Sequence, residues 1–168
     1  MLMEGISTMQ AKDVILSTIA SSDHILGTYL DGLSDADILV MPVEGMNPIA
    51  WQIGHLIASE RGMLEQVRPG VSPALPVGFD EAHSTDAAKK KEFSGMLPLA
   101  DYLALAKTQR VASLQVIESL SDADLDAATG VDYAPNVAAL MNMLGVHVLM
   151  HLGQFVAVRR ALGKPVTI

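Results

Sequence analysis

Apolar residues recur at spacings of three and four in four stretches of the chain, which is the period of an amphipathic helix. The pattern predicts helix one from Ser7 to Leu30, helix two from Asn47 to about Val67, helix three from near Pro98 to Leu120, and helix four from near Pro135 to about Leu162. β-Branched and aromatic residues are too sparse and too irregularly alternated to indicate a sheet. We therefore expect an all-α fold built from four helices.

Local signals mark where two of these helices begin or end. Asn47 is a preferred N-cap, and Pro48 suits the first helical position because its missing N–H costs nothing there. At the far end of the chain, Gly163-Lys164-Pro165 gives a C-cap glycine followed by a proline stop. These signals place the start of helix two and the end of helix four.

The predicted helices are joined by one long segment, residues 68–97, in which proline and glycine interrupt the helical period. A structureless loop of about 30 residues is unusual in a compact domain, so this crossover is expected to contain short helical turns and to lie over one end or face of the helices. It carries His83 and the run Lys89-Lys90-Lys91. Both are expected to be solvated surface.

A five-residue string occurs twice, as Leu33–Asp37 and as Leu120–Asp124, and each copy leads into the next helix. The chain therefore divides into two helical hairpins. Counting 22 residues on from each leucine leads to His55 in one copy and Asn142 in the other, so the histidines are out of register. The repeat indicates either internal pseudo-symmetry or a recurring helix exit in which Ser and Asp satisfy backbone groups locally.

Length and charge narrow the class of protein. The 168 residues, half of them hydrophobic, predict one domain over 1–168. Nineteen acidic residues against 11 basic ones give a net charge of -8, which repels a phosphate backbone. We expect no nucleic-acid partner.

Cysteine is absent, and the N-terminus lacks a basic region followed by an apolar run and a small-residue cleavage site. We expect a cytoplasmic protein, in which any thiol chemistry would use sulfur supplied by a substrate. The stretch Val137–Val158 is long enough to span a bilayer, but Asn142, His147, His151 and Gln154 interrupt it. Because such polar groups are costly in lipid, a buried helix is favoured over a membrane span.

Three histidines carry the candidate chemistry. His147 and His151 are four residues apart in the apolar helix four, so their side chains stack on one face, and His55 lies in the apolar helix two. Leaving each buried imidazole unpaired would cost roughly 1–3 kcal/mol, so a shared metal is the economical explanation. We predict a metal site formed by His55, His147 and His151. His24, beside Asp23, is instead expected at the surface or the edge of the core.

Three imidazoles leave at least one coordination position for water or substrate, which is the arrangement of a catalytic metal site. Zinc or nickel is our working hypothesis, with iron, cobalt or manganese as alternatives. Gln154, three residues beyond His151, is near enough to orient a ligand, although helix packing is an equally good reading of it. Glu60 is five residues from His55 and points away from it on a helix, so it is not assigned as a base.

Two blocks of this sequence resemble the DinB-like family of proposed metalloenzymes. Asn47–Leu56, with the sequence NPIAWQIGHL, is similar to the family's first histidine helix, and His147–Gln154 followed by Arg159–Gly163 is similar to its terminal signature. The resemblance implies a four-helix bundle of the DinB/YfiT-like type with a long crossover between helices 2 and 3. It also implies a homodimer in which the same three histidines bind the metal.

The resemblance further implies a transferase that activates a low-molecular-weight thiol, or water, for attack on a small electrophilic substrate. The competing hypothesis is a non-catalytic bundle that binds a metal or ligand, or that serves only for dimerisation. A fourth protein ligand on the metal would favour the binding module. An open position would favour the enzyme.

Overall fold

The computed structural model describes residues 8–166, and this part of the chain is mostly helical. Its elements in chain order are α1 (Ala11–Leu30), a 3₁₀ turn (Asp37–Leu39), α2 (Ile49–Val67), α3 (Phe79–Ala82), α4 (Thr85–Lys90), α5 (Leu99–Ser119), α6 (Asp122–Asp126), β1 (Ala128–Val131), β2 (Ala134–Asn136) and α7 (Val137–Ala161). The four longest helices correspond to the four that the sequence predicts. The all-α expectation is confirmed at this level. The predicted start at Ser7 lies outside the described residues.

The predicted cap of helix two is displaced by one residue. Pro48 has an extended backbone, with φ -64° and ψ 152°, and is itself the N-cap, so the helix begins at Ile49. The Asn47 carbonyl instead accepts a hydrogen bond from Gln52 Nε2 at 2.8 Å. The carboxamide of a residue inside the helix thereby holds the preceding loop against the first turn.

A short antiparallel hairpin of β1 and β2 precedes α7 and was not predicted. Each strand has only three or four residues, too few for an alternating pattern to stand out in the sequence. Because Ala134–Asn136 is extended, α7 begins at Val137, with the Asn136 side chain accepting from the Ala139 N–H at 2.9 Å. The hairpin packs against the first part of α7 and exposes Tyr133.

The four long helices pack as a helical bundle around two apolar clusters. α1 lies along α7, and α2 packs against both α5 and α7, whereas α1 and α5 hardly meet. One cluster includes Tyr102 and Phe155, and the other includes Ile117 and Leu144. The apolar period of helix three includes Leu103 and Val111 and so predicts both in the core, but they are exposed, because α5 lacks a close neighbour on its α1 side.

By length and composition, α7 is the one described helix apolar enough to cross a membrane, a test that core helices of soluble proteins also pass. Its residues Leu140, Met141, Phe155 and Val158 are fully buried among the other helices. Packing within the bundle therefore accounts for these apolar residues of α7, while Leu149 and Met150 on the same helix are exposed.

The two copies of the repeated string make the same capping hydrogen bonds, although the first leads into a 3₁₀ turn and the second begins α6. Asp37 accepts from the Ser34 N–H at 2.8 Å while the Ser34 hydroxyl accepts from the Asp37 N–H at 3.2 Å. Asp124 and Ser121 make the same reciprocal pair at 2.9 and 3.2 Å. Such pairs satisfy the free N–H groups at the start of a helical turn. The repeat is explained by this local capping.

The crossover contains the short helices α3 and α4, as expected, and its lysines are solvated. The prediction for His83 was wrong, because its side chain is 2% exposed. The ring packs directly on α2 at Gly54, which has no side chain to exclude it. The crossover thus covers the face of α2 that carries His55.

Candidate metal centre

The three predicted histidines meet between α2 and α7. The ring centroids of His55 and His147 are 5.2 Å apart, those of His55 and His151 are 5.4 Å apart, and those of His147 and His151 are 4.9 Å apart. One ligand atom from each ring lies within 4.8 Å of the others. The three imidazoles therefore form a nearly equilateral triangle.

Hydrogen bonds behind two of the rings fix which nitrogen faces the triangle. His151 Nδ1 lies 2.9 Å from Gln52 Oε1, and His55 Nδ1 lies 3.3 Å from the carbonyl oxygen of His83. Both partners accept hydrogen bonds, so both Nδ1 atoms carry the proton and both Nε2 atoms keep a lone pair. This arrangement, with an acceptor behind each ligating ring, is the one that orients histidines toward a metal.

His147 and His151 approach each other as two ligands of one ion would. Their Nε2 atoms are 3.2 Å apart. Two nitrogens bound to one ion at about 2.0–2.1 Å with a tetrahedral angle would lie about 3.3 Å apart. The spacing of these two nitrogens fits a shared divalent ion.

Burial keeps the cluster uncharged. It lowers the pKa of His147 and of His151 to about 4, and the neighbouring imidazoles act in the same direction. Burial also lowers the pKa of His55, although the hydrogen bond to the His83 carbonyl partly offsets this. All three rings are thus neutral at pH 7, which is the form that binds a metal.

Aromatic and backbone contacts hold His55 in place. Trp51, one turn earlier on α2, stacks on its ring with centroids 4.8 Å apart and planes inclined by 10°. The backbone carbonyl of His83 supports the His55 ring from the crossover. The His83 ring is itself anchored, with Nδ1 at 2.8 Å from the Phe79 carbonyl oxygen and Nε2 at 2.7 Å from the Tyr102 hydroxyl. The His55 ring is therefore positioned from both α2 and the crossover.

A cleft of about 590 Å³ opens beside His147, between α2, α7 and the β1–β2 hairpin. Met63, Met143, Met150 and Tyr133 supply most of its apolar surface. None of its described lining residues carries a formal charge at neutral pH. The cleft suits an uncharged or apolar small molecule held next to the histidines.

Sequence reasoning missed the two residues that orient the rings. Gln52 is fully buried and contacts His151, whereas Gln154, the glutamine considered for such a role, is exposed. A polar residue inside the apolar stretch of helix two was the signal that could have identified Gln52. For His83 the neighbouring Gly54 offered only an indirect hint, because nothing in the spacing places the crossover there.

The remaining candidates lie away from the cluster, as expected. His24 is exposed. Glu60 lies on another face of α2, where Oε2 is 3.2 Å from Arg110 Nη2. Burial raises the pKa of Glu60, and the guanidinium of Arg110 partly offsets that rise. Within residues 8–166, no Asp, Glu or further His joins the three-histidine group.

Comparison with known proteins gives one family. The model of the DinB superfamily matches residues 22–155, a range that contains all three clustered histidines and most of the helical bundle. No curated protein matches the chain significantly.

Proposed function

The chain belongs to the DinB superfamily, and on that premise we propose that it is a metal-dependent enzyme with a three-histidine site. In this proposal, residues 1–168 form one domain, a four-helix bundle of the DinB/YfiT-like type. The reaction is the transfer of a low-molecular-weight thiol, or of water, to a small electrophile. The protein acts in the cytoplasm as a homodimer.

The observation that carries this proposal is the convergence of three neutral imidazoles beside a cleft. His55 and His151 present Nε2 lone pairs because acceptors occupy their Nδ1 protons. Only three protein ligands come from the described residues, so at least one coordination position is left for a small molecule. A purely structural metal site would be closed by a fourth protein ligand.

A divalent ion bound there would acidify a thiol or water molecule placed in its open position. The residues of the chain supply the geometry: Gln52 and the His83 carbonyl fix the rings, and the uncharged cleft beside His147 holds the reacting molecules next to them. The thioether and phenol groups of the cleft favour an apolar or aromatic acceptor. Zinc and nickel are our working choice of ion, and iron, cobalt and manganese are the alternatives, since the three imidazoles do not discriminate among them.

Metal content tests the site directly. We expect about one equivalent of a divalent metal per chain by mass spectrometry, and its loss in His55→Ala, His147→Ala and His151→Ala. His24→Ala is the matched control, since His24 is exposed and remote from the cluster, and it should retain the metal. Stoichiometric metal in all three cluster variants would refute the site.

Thiol consumption tests the reaction. Loaded protein is incubated with a panel of thiols and uncharged electrophiles, and loss of free thiol is followed over time. Gly62→Leu narrows the cleft from the α2 side, where a new side chain meets open space, and Gly153→Leu makes the same change on α7 outside the cleft. Turnover that falls in Gly62→Leu but not in Gly153→Leu supports the cleft as the substrate site.

The alternative is a bundle that binds a metal or ligand without catalysis, or that serves only as a dimerisation module. Stoichiometric metal without turnover across the whole panel would favour the binding module. Absence of metal in freshly prepared protein, together with a dimer in light scattering, would favour the dimerisation module.

A further inference from the structure

A second cavity, of about 300 Å³, lies between α1 and α5, where these two helices fail to meet. All four long helices contribute to its walls, which are mostly apolar, with Leu26, Ile53, Leu56 and Val148 among them. This volume is at the small end of the range for ligand pockets. The bundle thus has a space, open on the side of the exposed Leu103 and Val111, that its own side chains do not fill.

The cavity is separate from the histidine site. Three of the four α2 residues that line it, Ile53, Ile57 and Glu60, lie on the opposite face of that helix from His55, as a rotation of 100° per residue requires. No described residue lines both this cavity and the cleft beside His147. Its occupant would therefore not contact the reacting groups.

One side of the cavity carries a charged group of three residues. Arg110 Nη2 lies 3.3 Å from Asp23 Oδ1 and 3.2 Å from Glu60 Oε2. Arg110 Nη1 is buried without a hydrogen-bond partner in the described part of the chain, and Glu60 Oε1 is buried beside it, in a carboxylate whose pKa a hydrogen bond from the Ser113 side chain lowers. Because a buried donor without a partner is costly, Arg110 Nη1 is available to a ligand, and a carboxylate oxygen of Glu60 can accept one further hydrogen bond.

We propose that this cavity binds a small neutral amphiphile whose polar end both donates and accepts hydrogen bonds, such as a medium-chain alcohol or primary amide. The polar end would donate to Glu60 Oε1 and accept from Arg110 Nη1, while the hydrocarbon chain fills the apolar walls. Asp23 and Glu60 balance Lys107 and Arg110 among the lining residues, so the site has no net charge to neutralise. A carboxylate or an ammonium group would meet charges of both signs in this balanced set, so neither gains a net attraction that repays the loss of its hydration.

The test uses four probes with the same eight-carbon chain: octan-1-ol, octanamide, octanoate and octylammonium. Binding to the full-length protein is measured by calorimetry and by ligand-observed NMR. Gly27→Leu blocks the cavity from α1, where a Cβ meets nothing within 4 Å, so the variant is expected to fold. Gly153→Leu is the control, the same change at an exposed helical glycine outside the cavity. Ala106→Leu blocks the cavity from α5 as a second, independent variant.

We expect octan-1-ol and octanamide to bind the native protein and Gly153→Leu equally, and to lose about tenfold or more in affinity in both blocking variants. The two charged probes should bind at least about tenfold more weakly than the neutral ones. Glu60→Gln removes one negative charge from the site, so it should reduce the difference in affinity between octanoate and octan-1-ol.

Three results would overturn the proposal. Failure of all four probes to bind up to their solubility limits would leave the cavity as a packing gap that Gly27→Leu merely fills. Binding unchanged in both blocking variants would place the probes elsewhere. Binding of octanoate or octylammonium as tight as that of octan-1-ol would refute the proposed preference for a neutral headgroup.

Discussion

Gly54 is the position at which a single methyl group should disrupt the support of the histidine cluster. An added Cβ would lie 2.5 Å from Cγ of His83 and closer still to two further atoms of that ring. The ring cannot move aside freely, because its two nitrogens face the Phe79 carbonyl and the Tyr102 hydroxyl. Gly54→Ala must therefore displace His83 or shift α2.

The expected change in the free energy of unfolding combines one stabilising and two destabilising contributions. Alanine in place of a helical glycine stabilises by roughly 0.5–1 kcal/mol. Overpacking a buried contact costs roughly 1–3 kcal/mol, and leaving a partner of His83 unpaired costs roughly 1–3 kcal/mol more. We expect Gly54→Ala to lower the free energy of unfolding by roughly 2–4 kcal/mol. Because the His83 carbonyl would move away from His55 Nδ1, metal affinity should fall as well.

Urea denaturation of the metal-free protein measures the stability change, and metal titration measures the affinity. Gly62→Ala is the control on the same helix, since its Cβ meets nothing within 4 Å, and it should raise stability by roughly 0.5–1 kcal/mol. Adding His83→Ala to Gly54→Ala removes the clash, so the double variant should be more stable than the sum of the two single changes predicts. Equal stability of Gly54→Ala and Gly62→Ala would refute this account of the contact.

Three further predictions follow from contacts elsewhere. Gln52→Met removes the acceptor behind one ligating ring and should reduce metal affinity about 10–100-fold in a competition titration, whereas Gln154→Met, at an exposed site, should not change it. Hydrogen bonds, first of all from the Gly70 N–H, lower the pKa of Glu65 from 4.5 to about 2. The stabilisation by Glu65 is therefore complete above pH 4.5 and lost as the pH falls toward 2, so Glu65→Gln should lower Tm at pH 7 but not at pH 2. Gly145→Ala would bring a Cβ within 3.0 Å of the α1 backbone and should cost roughly 1–3 kcal/mol in urea denaturation, and a stability equal to the native value would contradict tight α1–α7 packing.

The helices and the His147–His151 pair could be predicted because both depend on local spacing, whereas the placement of His55 beside that pair is predicted from the chemical argument for a shared metal and from the family resemblance. An imidazole pair at four-residue separation must share a helix face, and the apolar period of helix two sets which way His55 points. The contributions of Gln52 and His83 could not be predicted in the same way. Each depends on a contact over a long sequence separation, 99 residues for the Gln52–His151 pair and 28 for the His55–His83 pair.

The same limit explains the remaining differences from prediction. Leu103 and Val111 follow the apolar period of helix three, yet the period does not reveal that α1 stays away from α5 and leaves that side open. The hairpin before α7 is too short to carry a pattern. Periodicity identifies the face that a helix would bury, but the neighbouring helices determine whether it is buried.

The contact between the His83 carbonyl and His55 also couples the histidine cluster to local unfolding of the crossover. Segments of a folded chain unfold locally with their own free energies, and a crossover with two very short helices is expected to open before the long helices do. When it opens, the amide of His83 becomes available for hydrogen exchange and His55 loses its partner in the same event. Exchange at that amide therefore reports how often the supporting contact of the histidine cluster is released.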